Sequence, residues 1–266
     1  MRFSEIVRGK AYALRAWFRM VWFLRNGGKV WSCYRRSSPI PALEFRRGFT
    51  LQHGKWDTPI SLLHEVFAEG LYHRYLRVEP KGVLVDIGAN IGAVALDFAT
   101  RWPQLEVHAY EPNPSTFETL NRNLQDNHLG ERVVLFNEAV AGSIGSFDLW
   151  TEMLSVGSSG YLPDPPSSAK QVAVACVDLA TVFQRVGDRR IFLLKIDAEG
   201  AETDILGQST GLCFDQVQQV AVECHEKIRP GARTACQEVL ERHGFRCKTH
   251  RIYEADGTDM LYAWKR

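Results

Sequence analysis

From residue 82 to the C-terminus, short apolar runs alternate with stretches whose apolar positions recur every three or four residues. The runs read as strands at 83–87, 106–110, 133–136, 191–196, 219–223, 245–249 and 261–264. The periodic stretches read as helices at 93–101, 114–127, 201–206 and 234–243. Apolar strands interleaved with amphipathic helices are the pattern of a parallel sheet with crossover helices, because each crossover must return the chain across a covered face. The expectation is an α/β domain of Rossmann-like type over 81–266.

Ahead of it, residues 48–80 read as a cap of mixed structure. A strand pair is expected around 45–51, and a helix after Asp57 and Pro59. One segment, 144–180, breaks the alternation. Within it 147–151 and 172–177 read as strands, separated by SVGSSGYLPDPPSSAK at 155–170. A loop this long and this rich in Ser, Gly and Pro is either a surface excursion or an insertion that closes over substrate.

Residues 1–47 carry eleven Lys or Arg against Glu5 and Glu44, so a net charge of +1 hides a basic leader on a body of about −8. Leu14, Trp17, Phe18, Val21 and Leu24 fall at helical spacing, but Arg8, Lys10, Arg15, Arg19 and Arg25 interrupt every run long enough for a signal core or a membrane span. The leader therefore reads as a basic amphipathic helix, either packed on the domain or, over residues 1–30, touching a membrane surface or a partner. No extended basic groove for nucleic acid is written. The six cysteines, Cys33, Cys176, Cys213, Cys224, Cys236 and Cys247, form no C-x-x-C pair, which fits buried thiols in a reducing cytoplasm.

The chemistry concentrates in VLVDIGANIGAVALDFA. A buried strand ends in Asp86, a turn with Gly88 and Gly92 follows, and a helix begins, which is where α/β sheets bind nucleotide-like ligands. Glycine lets the backbone turn sharply and admits close approach where a Cβ would collide. A dinucleotide fingerprint needs a bare second glycine under the pyrophosphate, and here the triplet is Gly88-Ala89-Asn90. Asp86 would repel a phosphate yet can pair with an amino group, so S-adenosylmethionine fits this loop better than NAD. The second strand closes 25 residues later on Glu111, where a carboxylate grips ribose hydroxyls in such domains. The third strand is followed by Asn137 and Glu138, whose turn borders the same crevice and is expected to touch the adenine.

Three stretches carry a resemblance: VDIGANIG at 85–92, LKIDAEGAE at 194–202 and VECH at 222–225. From about Gly48 onward the sequence resembles the FkbM family of methyltransferases. The resemblance implies a class I methyltransferase fold, a seven-stranded mostly parallel sheet with an antiparallel final strand, and methyl transfer to a hydroxyl of a sugar, glycan or natural product. It implies cofactor contacts at Asp86, Gly88, Asn90, Gly92 and Glu111, and a second motif at Asp197, Glu199, Gly200 and Glu202; Asp57 and Asp178 also match positions usual in the family.

A hydroxyl is a poor nucleophile, so a base or a metal ion must assist removal of its proton. Asp197, Glu199, Glu223 and His225 close two strands expected to be neighbours. They are the candidate catalytic set, with Asp197 orienting the acceptor beside the cofactor and Glu199 or His225 as base. Asp197, Glu199 and Glu223 could alternatively hold Mg²⁺ through oxygen ligands. Two other functions fit the same fold: an NAD-dependent oxidoreductase, and a non-catalytic S-adenosylmethionine-binding module docked on a membrane or partner.

Overall fold

The computed structural model describes residues 22–54, 59–151, 170–208, 214–253 and 258–265. Most of the expected leader helix, Asp57, Cys213 and nearly all of the 155–170 loop lie outside the described residues.

Seven strands form the main sheet: β3 (Gly82–Ile87), β4 (Leu105–Tyr110), β5 (Val133–Phe136), β9 (Ile191–Ile196), β10 (Gln219–His225), β11 (Arg246–Tyr253) and β12 (Thr258–Trp264). Their spatial order is β11-β12-β10-β9-β3-β4-β5. β5, β4, β3, β9 and β10 pair in parallel, whereas β12 runs antiparallel to both β10 and β11. β3 and β9 are central, and every residue of β9 is buried, so its run IFLLKI is covered on both faces. The strand order reverses beside β3, and the carboxyl edge there is where such a sheet receives a ligand.

Helices α3 (Ala93–Arg101) and α4 (Pro114–Asp126) contribute to one core cluster, while α5 (Leu179–Val186), α6 (Glu202–Gly207) and α7 (Ala232–Arg242) contribute to another. Asn113 caps α4 through a hydrogen bond from the Ser115 amide at 3.1 Å, and Pro114 takes the first helical position, where its missing N–H costs nothing.

The N-terminal part brings α1 (Gly27–Arg35), a two-residue ribbon of β1 (Leu43–Glu44) and β2 (Thr50–Leu51), and α2 (Pro59–Leu62), which runs into a π-helical turn, Leu63–Ala68. Leu24, Leu43, Phe45, Phe49, Leu63, Phe67 and Leu71 bury themselves in the same cluster as Leu96 and Phe98 of α3. A smaller sheet of β6 (Ala139–Val140), β8 (Lys170–Val177) and β7 (Gly145–Thr151) follows β5.

Four of these elements are absent from the sequence expectation: α1, the π-helical turn, β6 and α5. The signal for α5 was present. Leu179, Val182, Phe183 and Val186 repeat at helical spacing behind Asp178, whose carboxylate accepts from the Thr181 amide at 2.8 Å. Asp178, a position matched through the family resemblance, thus serves as a helix cap. No helix among the described residues is long and apolar enough to cross a membrane.

Candidate active site

β3 delivers Asp86 to the sheet's carboxyl end fully buried, and β9 delivers Lys195 beside it. Lys195 Nζ lies 2.9 Å from Asp86 Oδ1 and 3.5 Å from Asp197 Oδ2, and it donates to the carbonyl oxygens of Gly88 at 2.7 Å and Ile87 at 3.2 Å. Burial pushes the Asp86 carboxyl upward, a push the lysine opposes. The amino group expected opposite Asp86 is therefore matched in part by the chain's own lysine. The carboxylate's second oxygen, Oδ2, is buried without a hydrogen-bond partner among the described residues. The motif LKIDAEGAE by itself assigns Lys195 no role, although a charge inside an otherwise apolar strand is a signal that a partner waits in the interior.

The glycine loop is wound tightly. Gly88 has a φ of +75°, and a Cβ there would overlap the Asp197 carbonyl, so the end of β9 itself requires a glycine at this position. Asn90 adopts the left-handed region at φ +52°, where Asn is tolerated. Its amide donates to Glu111 Oε2 at 2.8 Å, and the Asn113 amide donates to Glu111 Oε1 at 2.9 Å. Each oxygen of Glu111 keeps a lone pair for a further donor. Burial pushes this carboxyl up to about 7 despite the two amides. Ala89 is buried at the start of the turn, and Asn123 of α4 holds the loop by donating to the Ile91 carbonyl at 2.8 Å.

Asn137 donates to the carbonyls of Glu111 and Pro112, at 2.8 and 3.1 Å, and so ties the third strand's turn to the second. Glu138 is gripped by Arg185 of α5, whose guanidinium lies 4.5 Å from the centroid of the Phe136 ring. The expected adenine-facing turn is thus braced by internal contacts.

Beyond β9 the chain turns through Asp197, Ala198, Glu199 and Gly200, with Glu199 held at φ +46° and Gly200 at +104°. A left-handed glutamate is strained, which is characteristic of side chains fixed for function. Glu202 is buried and accepts from the Gly200 amide at 3.0 Å, the Ala198 amide at 3.2 Å and His225 Nδ1 at 2.8 Å. It shapes the turn and clamps the imidazole. His225 Nε2 then faces Glu199 Oε2 at 3.4 Å and Asp197 Oδ1 at 3.9 Å. Burial works against a charge on His225, but the Glu202 hydrogen bond and the charges of Glu199, Glu202 and Glu223 prevail and hold its pKa well above the ordinary histidine value. With that shift His225 is protonated near neutrality and offers no free lone pair, which disfavours it as the alternative base to Glu199. Burial, helped by Asp197, raises Glu223 well above the carboxylate range; burial, opposed by His225, takes Glu199 to about 8.

Tyr72 joins from the N-terminal part, a contribution that nothing in the sequence announced. Its hydroxyl is 3.1 Å from Glu223 Oε2 and 3.5 Å from Asp197 Oδ2. Its position is fixed by the neighbouring Leu71 carbonyl, which accepts from Tyr262 at 2.8 Å. The four expected catalytic residues do come together, and β9 and β10 are neighbours as expected. Among the described residues, however, the trio of ligand atoms within 4.8 Å of one another is Asp197, Glu223 and His225, and not the expected Asp197, Glu199 and Glu223. The nearby Lys195 ammonium and the protonated imidazole both compete with a cation there.

The Methyltransferase FkbM domain matches residues 86–247, from the buried aspartate of β3 to the start of β11. The chain belongs to this family. This FkbM-family chain is 25% identical over 238 residues to the 31-O-demethyl-FK506 methyltransferase FkbM of Streptomyces tacrolimicus, covering 79% of itself and 90% of that protein. It is 28% identical over 152 residues to the hexuronic acid methyltransferase AglP of Haloferax volcanii, covering 57% of itself and 59% of AglP. Among solved structures, the methyltransferase FkbM of Methylobacillus flagellatus KT superposes with a TM-score of 0.52 at 13% identity. The match takes in 98% of this chain and 60% of that one, and what it shows is the fold. The FkbM-family chain has the Rossmann-like methyltransferase fold, and Tyr72 lies ahead of the matched family domain.

Proposed function

We propose that this FkbM-family chain is an S-adenosylmethionine-dependent O-methyltransferase whose acceptor is a hydroxyl of a sugar, glycan or natural product. One observation carries the reading: around the carboxyl ends of β3, β9 and β10, the carboxyl groups of Asp86, Asp197, Glu199, Glu202 and Glu223 outnumber the cations Lys195 and His225. A sulfonium that also carries an ammonium group favours the ionised form of the carboxyls that burial holds protonated, whereas a pyrophosphate disfavours it. The buried, unpartnered Oδ2 of Asp86 and the remaining lone pairs of Glu111 fit the same ligand, the first suiting an ammonium donor and the second ribose hydroxyls.

Asp86 and Glu111 would hold the cofactor, with Asn90 and Ala89 forming the loop against it. The cofactor supplies an electrophilic methyl group. The chain's own part is to orient the acceptor and receive its proton, and positioning contributes much of the rate of such an in-line displacement. Asp197 and Glu223, joined through Tyr72, face the acceptor side. Glu199 receives the proton: its pKa of about 8 suits a base acting in mild alkali, and the His225 cation beside it favours its ionised form. FkbM of Streptomyces tacrolimicus and AglP are named for a demethylated natural product and a hexuronic acid, which supports hydroxylated acceptors.

The test is calorimetric titration with S-adenosylhomocysteine and with NADH, followed by labelled methyl transfer to sugars, uronic acids and polyketides. Binding of the homocysteine product alone is expected, with kcat/KM rising toward a plateau above pH 8 as Glu199 ionises. Glu199→Gln is expected to lose about 10²–10⁴-fold in kcat with product binding retained. NADH binding without homocysteine-product binding would overturn the reading.

A further inference from the structure

Residues 22–47 display a combination found nowhere else among the described residues. Trp22 is 73% exposed and Tyr34 is 48% exposed, and these are the only exposed large aromatics among the described apolar side chains. Both belong to a firmly held segment. Next to Trp22, Leu24 is fully buried and forms a bridge with Phe45, and the Arg46 guanidinium donates to the Trp22 carbonyl at 2.8 Å. Indole and phenol are therefore presented to solvent by an anchored scaffold, at a standing cost in exposed apolar surface.

Cations accompany these rings. Arg46 lies 5.5 Å from the centroid of the Trp22 ring, and Arg35 lies 5.9 Å from that of Trp31, which stacks in turn with Tyr34 at 6.5 Å. Six basic residues, Arg25, Lys29, Arg35, Arg36, Arg46 and Arg47, face a single acid, Glu44, within 22–47. Arg47 is committed to Asp97 at 3.0 Å, but Lys29, Arg35 and Arg36 are exposed and make no ion pair among the described residues. The chain beyond residue 47 carries about −8, so contact with an anionic body is favourable through this segment and disfavoured by the net charge of the chain beyond it.

We infer that residues 22–47 form a docking surface for an anionic lipid bilayer, with Trp22 and Tyr34 seated at headgroup level and Lys29, Arg35, Arg36 and Arg46 against lipid phosphates. Trp and Tyr prefer the membrane–water interface because one end of each ring system is apolar and the other is a hydrogen-bond donor. Arginine stems cover apolar surface while their heads remain with the phosphates. The inference is independent of the methyl-transfer reading, since it uses no residue of that site.

The experiment is co-sedimentation of the full chain with phosphatidylcholine vesicles, with and without phosphatidylglycerol, at low and high salt. Binding is expected only with phosphatidylglycerol, weakened by salt as screening shortens. The double variant Trp22→Ala/Tyr34→Ala and the triple variant Lys29→Glu/Arg35→Glu/Arg36→Glu should each bind about tenfold or more weakly, with homocysteine-product binding unchanged. The triple variant alters only exposed side chains and decides the matter should the aromatic pair disturb folding. Absence of binding to anionic vesicles, undiminished binding by both variants, or a parent dimer that Trp22→Ala dissociates would each overturn the inference, the last by showing that a second copy covers the patch.

Discussion

The pair Asp86 and Lys195 is the most consequential contact in the molecule at the scale of single residues. Both side chains are buried, so each charge depends on the other to offset lost hydration. Lys195 also binds the Gly88 carbonyl, and thus fixes the loop on which the cofactor would rest. Lys195→Met leaves Asp86 buried and uncompensated and is expected to cost about 3–5 kcal/mol in denaturant unfolding. Adding Asp86→Asn should recover part of that loss, and a double variant no more stable than Lys195→Met would show that the pair does not act as one. Asp86 was legible because a strand-ending carboxylate before glycines is a local pattern. Lys195 sits 109 positions away and meets it only through the β3–β9 pairing.

Individual elements are joined by a second buried charge centre. Asp97 of α3 is fully buried, accepts from His73 at 2.6 Å and pairs with Arg47 at 3.0 Å and Arg101 at 3.3 Å, so the ribbon's turn, the segment bearing Tyr72 and α3 meet on one carboxylate. His73 donates through Nε2, stacks on Phe98 and leaves Nδ1 buried without a hydrogen-bond partner among the described residues; burial lowers its pKa, against the pull of Asp97. Burial would raise Asp97, but His73, Arg101 and Arg47 outweigh it and the net shift is downward. Both groups have folded values below their unfolded ones. Their stabilisation is therefore complete above the unfolded value and lost as pH falls through the folded one. For His73 the loss begins below about pH 6.5, and for Asp97 below about pH 4. Urea stability measured from pH 8 to pH 4 should decline from about 6.5 downward, and His73→Phe, which keeps the stack on Phe98, should flatten the upper part of that decline. An unchanged slope would remove His73 from the account.

At the same scale, most regular elements were readable, α1 and α5 excepted, and the irregular ones were not. Strands β3, β4, β5, β9 and β10 announce themselves as apolar runs, and α3 and α4 through their periodicity. The π-helical turn Leu63–Ala68 does not, since one extra residue per turn blurs the spacing on which such readings depend. β6 is two residues long and exists through its pairing with β8.

For the whole molecule, ligand binding and folding share one balance. A ligand that engages only the folded chain stabilises it by mass action, by about 2.7 kcal/mol at a hundredfold excess over Kd. S-adenosylhomocysteine at that excess should raise Tm by roughly 5 °C or more in thermal melts, while Glu111→Ala should abolish the shift and leave the unliganded Tm within a few degrees. A shift retained in Glu111→Ala would place ribose recognition elsewhere.

The sequence by itself determined the sheet, because burial on two faces writes a continuous apolar run, and it determined the glycine loop, Glu111 and the D-A-E-G-A-E turn, because each is a contiguous pattern with a local backbone requirement. Tertiary structure alone decided what those groups do to one another. It set Lys195 against Asp86, made a clamp of Glu202 and a cation of His225, and brought Tyr72 from outside the family domain to Glu223. These outcomes depend on burial and on the proximity of residues far apart in the chain, and both arise only when the strands align.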